Sequence, residues 1–231
     1  MKYFDIIFTN KDVLVYIQQA DKNFKALGYT EQGITHAKRS AFLVEKILSS
    51  LNYSEEDIDI GKSAGFLHDI GCCIAYKDHA HTGAVLVNKI LQKLSIPQKE
   101  IFKIVNIIGA HEDIDLLPIS DIAAVVMVAD KTDVRRERVI KTDFKLFDKH
   151  DKVHYAVVKN DLEVFPNQRK IILKLQIDDN ICSVLEYFEL FMSRIEFCKK
   201  AVSKLGLTFE FYINEVRYLW DYEKFWSNKK R

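Results

Sequence analysis

A mainly helical chain with a small α+β appendage at its C-terminal end is predicted by three features of this sequence. Apolar residues recur at helical spacing through roughly the first 145 positions. The segment Ile122 to Ala129 (IAAVVMVA) is apolar on every side, which predicts a helix buried at the centre. Beyond about residue 145 the pattern switches to alternation at period two, interrupted by one long amphipathic stretch. We therefore expect a helical bundle over residues 1–145 and a β-β-α-β unit over 146–231.

The elements follow in order. Val13, Ile17, Ala20, Phe24 and Leu27 step by four and three, and Gly28 stands where such a helix would stop. Ile34, Ala37, Ala41, Val44, Leu48 and Leu51 form a second stripe. Ser54 with Asp57 reads as a capping box for a third helix running through Ile58 to about His68. A fourth covers roughly 79–94. A fifth starts near Ser95-Ile96-Pro97-Gln98, with an early proline, and ends near His111. In the last third, Val153 to Val158 reads as a strand, as does the alternation of Ile171, Leu173, Leu175 and Ile177. Asp178-Asp179-Asn180 then reads as a turn and helix start. A helix carrying Ile181, Leu185, Phe188, Met192, Ile195, Val202 and Leu205 runs to Gly206, and Leu207, Phe209, Phe211 and Ile213 alternate again. This predicts a small antiparallel sheet covered by one helix. Glu215 to Trp226 is aromatic without a clear period.

Composition narrows the function classes. With 231 residues, 48% hydrophobic and 12% aromatic, the chain can bury a sizeable core. A net charge of +1 supplies no global field toward nucleic acid or membrane. The local basic groups are Lys131 with Arg135, Arg136 and Arg138, and the tail Lys229-Lys230-Arg231. Charge runs of this kind are ordinarily solvated helix faces, so no nucleic-acid partner is predicted. Cys72 and Cys73 are adjacent and poorly placed to bridge each other, and no CxxC pair occurs among the four cysteines. Reduced thiols in a cytoplasmic protein are the expectation. No signal peptide or membrane-length apolar stretch is evident, so no membrane partner is expected.

Five of the seven histidines fall between residues 36 and 111: His36, His68, His79, His81 and His111. Asp69 follows His68 directly, and Asp130 closes the all-apolar segment. A lone histidine is ordinarily a hydrogen-bonded core or surface residue. A carboxylate ending a buried run is harder to dismiss, because burying it unpaired is very costly. Helical bundles let such groups converge in their interior. Imidazole and carboxylate together suit divalent cations such as Mn, Fe, Co, Ni or Zn.

The pattern His36, then His68-Asp69-Ile70-Gly71, then Asp130 resembles the HD superfamily of metal-dependent phosphohydrolases. The settings are similar too: "ThrHisAlaLysArg" around His36, "GlyPheLeuHisAspIleGly" around the doublet and "ValMetValAlaAspLysThrAsp" around Asp130. The resemblance covers about residues 25–140 and implies an HD-domain helical bundle. It implies that His36, His68, Asp69 and Asp130 bind a first metal, with His68 and Asp69 at the catalytic core. Many members add two histidines that hold a second metal through the doublet Asp. His79 and His111 stand in those places. His81 rivals His79, but the family's histidine usually stands four residues before a Gly-Ala pair, as His79 does before Gly83-Ala84.

The implied cofactor is a pair of divalent ions (Fe, Mn, Zn, Ni, Co or Mg), and the implied partner is a small phosphorylated molecule or nucleotide. Lys131, Lys77, Arg39 and Arg135 lie near ligands in sequence and are phosphate-binding candidates. The sequence departs from the cyclic-dinucleotide-cleaving branch. No Gly-Tyr-Pro follows a single His111, Gln32 replaces an acidic ligand, and Cys72 stands where a Lys commonly follows the HDIG motif. Two other readings share the ligand set: an HD-type mixed-valent diiron oxygenase and a non-catalytic nucleotide-sensing module. An exposed strand edge in the appendage would allow a homodimer.

Overall fold

The computed structural model describes residues 2–112 and 118–218. The basic tail at 229–231 and the aromatic segment from 219 onward lie outside them. Among the described residues the chain is mainly helical, with a four-stranded sheet near its C-terminal end.

The first helix, α1 (Tyr3–Thr9), is a short apolar segment interrupted by Asp5, with no stripe long enough to announce itself. The Asp59 carboxylate accepts from the backbone N–H groups of Tyr3 at 2.5 Å and Phe4 at 3.2 Å, so a distant residue caps it. Next comes α2 (Lys11–Ala26), with Val13, Ile17, Ala20 and Phe24 buried as their spacing predicts. Then follow α3 (Ile34–Ser50), α4 (Glu55–Leu67), α5 (His79–Leu91), α6 (Gln98–Ala110) and α7 (Asp121–Lys131). Ser54 caps α4 through the Asp57 N–H as expected. Ser95 does not cap α6. Pro97 takes the N-cap position, where its missing N–H costs nothing. Every residue from Ala123 to Asp130 is buried, so α7 is the central helix. One hydrophobic core runs from α1 through the bundle to the sheet.

The last third differs from its sequence reading in three ways. Residues 153–156 belong to a helix, α8 (Lys149–Ala156), and the strand β1 starts only at Val157 and runs to Phe165. The valines at 153, 157 and 158 suggest a strand, but Asp148 and Asp151 form a capping box that commits the preceding turn to helix. The long helix α9 spans Val184–Lys204, capped by Ser183 with Glu186 rather than by the Asp178 turn. The sheet is not purely antiparallel. β2 (Lys170–Ile177) pairs antiparallel with β1, but β3 (Thr208–Ile213) lies parallel to β2. A strand that returns to its neighbour's side through a crossover helix must run in the same direction, and α9 is that crossover. The short β4 (Val216–Tyr218) closes the order β1-β2-β3-β4. The all-α bundle with a small α+β unit is thus as predicted, with the strand directions corrected.

Candidate metal centre

The bundle gathers helix ends at one place. His36 lies in the first turn of α3, His68 at the C-cap of α4, His79 opens α5, His111 is the C-cap of α6, and Asp130 sits in the last turn of α7. Three of these are C-terminal ends, whose free carbonyls favour positive charge. The turn after α4 carries Asp69, then a 3-10 segment over Ile70–Cys73. Gly71 explains why that turn can pack so closely. A Cβ there would lie 2.0 Å from the His79 carbonyl oxygen and 2.6 Å from the Gly83 nitrogen. Only glycine lets α5 press its first turn against the doublet, and this brings His79 to Asp69.

The side chains fall into two groups divided by one carboxylate. On one side of Asp69, Oδ2 lies 3.1 Å from His68 Nε2 and 3.5 Å from His36 Nε2. Asp130 Oδ1 is 3.4 Å from His36 Nε2 and 3.5 Å from His68 Nε2. One donor atom from each of these four residues lies within 4.8 Å of all the others. On the other side, Asp69 Oδ1 lies 3.1 Å from His79 Nε2 and 3.7 Å from His111 Nε2. Lys131 binds Asp130 Oδ2 at 2.6 Å and also pairs with Glu112.

The opposite edge of every imidazole is held. His36 Nδ1 donates to Asp133 Oδ2 at 2.7 Å. His68 Nδ1 donates to the Gly65 carbonyl at 2.8 Å, His79 Nδ1 to the Tyr76 carbonyl at 2.8 Å, and His111 Nδ1 to the Ile108 carbonyl at 2.7 Å. Each of these partners can only accept, so each ring donates from Nδ1 and turns Nε2 inward. His36 and His68 then face each other Nε2 to Nε2 at 3.2 Å, as do His79 and His111. Facing nitrogens beside carboxylate oxygens repel unless positive charge, a proton or a metal ion, lies between them. The residues therefore fit divalent metal ions, with their orientation set by outer partners as in other metal sites.

The electrostatics show the same demand for positive charge: the carboxylates draw protons onto His36 and His68 where no metal ion supplies it. Burial and the Arg138 charge press the His36 imidazole down, but Asp130, Asp133 and Asp69 outweigh them and raise it to about 9. Burial alone would raise the Asp69 carboxyl, yet the facing imidazoles hold it well below the usual range. Asp130 is held down likewise, against burial, by Lys131 and His68. The site is built to keep anions ionised where cation charge is supplied. Burial pushes the neighbouring Cys72 thiol up, so it stays protonated.

Of the predicted site residues, His36, His68, Asp69, His79, His111 and Asp130 all meet here. His81 is exposed, on the solvent side of α5. Lys131 is at the centre's edge, and Lys77 is exposed on a cavity that His79 also lines. Arg39 spends its hydrogen bond on the Asn160 carbonyl of β1 at 3.3 Å, not on the cluster. The run of basic residues after Asp130 is used internally. Arg135 pairs with Asp133, Arg136 donates to the Tyr155 carbonyl at 2.6 Å, and Arg138 is buried. Two supporting residues have no clear sequence signal. Asp133, fully buried, orients His36, and its spacing of three from Asp130 was the only hint. Gln32 donates from Nε2 to Asp69 Oδ2 and accepts from Arg138 on Oε1.

The HD domain family model matches residues 33–135, a stretch that holds all six of these histidine and aspartate residues. The chain therefore carries an HD domain over these residues. Comparison with curated proteins finds no match. Among the described residues no helix is long and apolar enough to cross a membrane.

Proposed function

We propose that this protein is a metal-dependent phosphohydrolase acting on a small phosphorylated substrate, a nucleotide being one such class. The observation that carries the reading is the division of Asp69, with Oδ2 toward His36 and His68 and Oδ1 toward His79 and His111. His36, His68, Asp69 and Asp130 would hold one ion, and Asp69, His79 and His111 a second. Bound there, two divalent ions supply Lewis acidity for a phosphoryl group and a water of lowered pKa as nucleophile.

The chain's own residues do the rest. The Nδ1 contacts fix each imidazole and aim its Nε2 at the place an ion would occupy. Asp69 and Asp130 neutralise charge. Lys131, held between Asp130 and Glu112, keeps a cation at the rim where phosphate oxygens would arrive. Burial holds Asp69, Asp130 and the four rings away from bulk water, which strengthens every charge interaction.

The test is turnover of a panel of nucleotides and phosphomonoesters by protein loaded with Mn, Fe, Zn, Ni, Co or Mg. Metal-dependent release of phosphate is expected, and no turnover of any compound with any metal would defeat the proposal. Elemental analysis of the protein as isolated belongs beside it. An iron pair with an EPR signal after partial reduction, together with oxygen uptake, would favour oxygenase chemistry instead.

A further inference from the structure

A cavity of about 270 Å³ lies beside the metal centre, and its far wall comes from residues outside the HD match. Its near wall includes Gln32 and Tyr76; its far wall includes Arg138, His154 and Arg194. Each near-wall residue touches one half of the centre. Gln32 donates to Asp69. The Tyr76 ring stacks on His79, with centroids 5.7 Å apart and planes 12° from parallel. One side chain therefore separates the cavity from each proposed metal.

The far wall is built around Phe191 of α9. The Arg194 guanidinium lies 4.5 Å from the centroid of that ring, and the His154 ring meets its edge at 5.4 Å and 79°. His154 is 2% exposed, and its Nδ1 has no hydrogen-bond partner among the described residues. A buried polar nitrogen lining a cavity and left unpaired is costly unless something in the cavity satisfies it. Arg194 has no carboxylate within 4.0 Å among the described residues. Arg138 hydrogen-bonds to neutral oxygens, the Glu31 carbonyl at 3.0 Å, the Asp133 carbonyl at 2.8 Å and Gln32, and its one carboxylate neighbour, Asp133 at 3.9 Å, is also bound by Arg135. The two carboxylates on the rim, Asp148 and Asp151, are both engaged by Lys141. Arg194 thus faces the cavity with no acid free to answer it. Phe24, Tyr29 and Tyr76 pack edge to face along the near side, a wall suited to an apolar spacer.

We infer that this cavity is a second anion subsite of the same active site, in which Arg194 and His154 bind a distal anionic group of the substrate. The substrate is then a phosphorylated molecule with a second phosphate or carboxylate, separated by a spacer, and the C-terminal unit selects for it. This rests on the phosphohydrolase reading above for the place of the scissile phosphate.

The test uses phosphonates, which are not cleaved. Affinities of the metal-loaded full chain are measured by calorimetry for ω-carboxyalkylphosphonates of increasing length, each paired with the alkylphosphonate of the same length. At the best length, the carboxylated compound should bind about tenfold tighter, as charge-assisted hydrogen bonds to a guanidinium allow. Arg194→Ala should erase that ratio and leave alkylphosphonate affinity unchanged, Arg194→Lys should recover part of it, and His154→Asn should reduce it several-fold. Equal affinities at every length, or an unchanged ratio in Arg194→Ala, would overturn the subsite. So would loss of alkylphosphonate affinity in both Arg194→Ala and Arg194→Gln, because Arg194 would then serve the fold or the metal centre. The ratio is read whether or not any phosphoester is hydrolysed. Hydrolysis of simple phosphomonoesters with no Arg194-dependent ratio would sink the subsite and leave the hydrolase reading intact.

Discussion

The two sides of Asp69 present the same chemistry in different settings. On the Oδ2 side, two imidazoles and a second carboxylate, Asp130, surround the space, and a buried carboxylate, Asp133, buttresses His36 from behind. On the Oδ1 side there are two imidazoles, each backed by a backbone carbonyl, and Glu112 approaches no nearer than 3.9 Å to His111. That side also borders a cavity of about 330 Å³ lined by Tyr76, Lys77, His79 and Glu112. More anionic charge and a charged outer partner should make the Oδ2 side the tighter metal site. Fewer protein donors and an open approach should make the Oδ1 side the one that exchanges its ion and meets substrate.

This comparison can be broken in order of expected effect. Asp69→Asn removes the charge both sides share. Metal content at both should fall, and phosphohydrolase activity should drop more than about 100-fold, beyond the cost of losing an outer partner. Elemental analysis with a turnover assay measures this, and retention of both ions would contradict the bridging role. Next come the single-side changes. His36→Ala should empty the Oδ2 side, and with it weaken the other, whereas His79→Ala should leave one tightly held ion per chain. Equal metal stoichiometry in the two variants would erase the asymmetry.

Gly71→Ala strikes neither ligand nor charge. Its Cβ would collide with the His79 carbonyl and the Gly83 nitrogen, backbone atoms that cannot swing aside. Unfolding should show a loss of about 1–3 kcal/mol, the usual range for overpacking, with the Oδ1-side metal weakened more than the other. Asp133→Asn keeps a hydrogen-bond acceptor at His36 but removes the buttress charge. Metal affinity on the Oδ2 side should fall about 10- to 100-fold, read by competition with a chelator, with the Oδ1 side little changed.

The smallest effect lies outside the centre and serves as its control. Burial, with the Arg138 and Arg194 charges, holds the His154 imidazole well below its ordinary value. The folded protein keeps this ring neutral, while the unfolded chain takes up a proton below about pH 6.5. The unfolded state then binds more protons, so the His154 contribution is intact above that pH and is lost as pH falls through it. Urea unfolding at about pH 7.5 and about pH 5.5 should show wild-type stability falling relative to His154→Asn, by up to about 1.4 kcal/mol per pH unit. A difference that does not change with pH would mean that the ring is not held neutral.

Much of this arrangement is legible in the sequence. Stripes at spacing three and four mark α2 and α3, because a bundle helix must bury one face; capping signals mark α4 and α6, and an all-apolar run marks the buried α7. The six candidate ligands come from residue type and from motifs that resemble a known family. The supporting cast does not. Asp133 looks like one more surface acid in a charged stretch, and Gln32 reads as a substitution rather than a partner of Asp69. The helix at 149–156 was hidden because valine favours strands locally, while its cap favoured helix.

Sequence by itself determined which faces are apolar, where helices give way to alternation, and which side chains are able to bind a cation. These are properties of near neighbours along the chain, set by period and chemistry. Only the tertiary structure decided that five helix ends meet at one carboxylate and that its two oxygens face different imidazole pairs. It alone decided that the C-terminal helix sets Arg194 and His154 beside that centre. Such contacts join residues scores of positions apart, and their geometry depends on how whole helices pack, which no local spacing records.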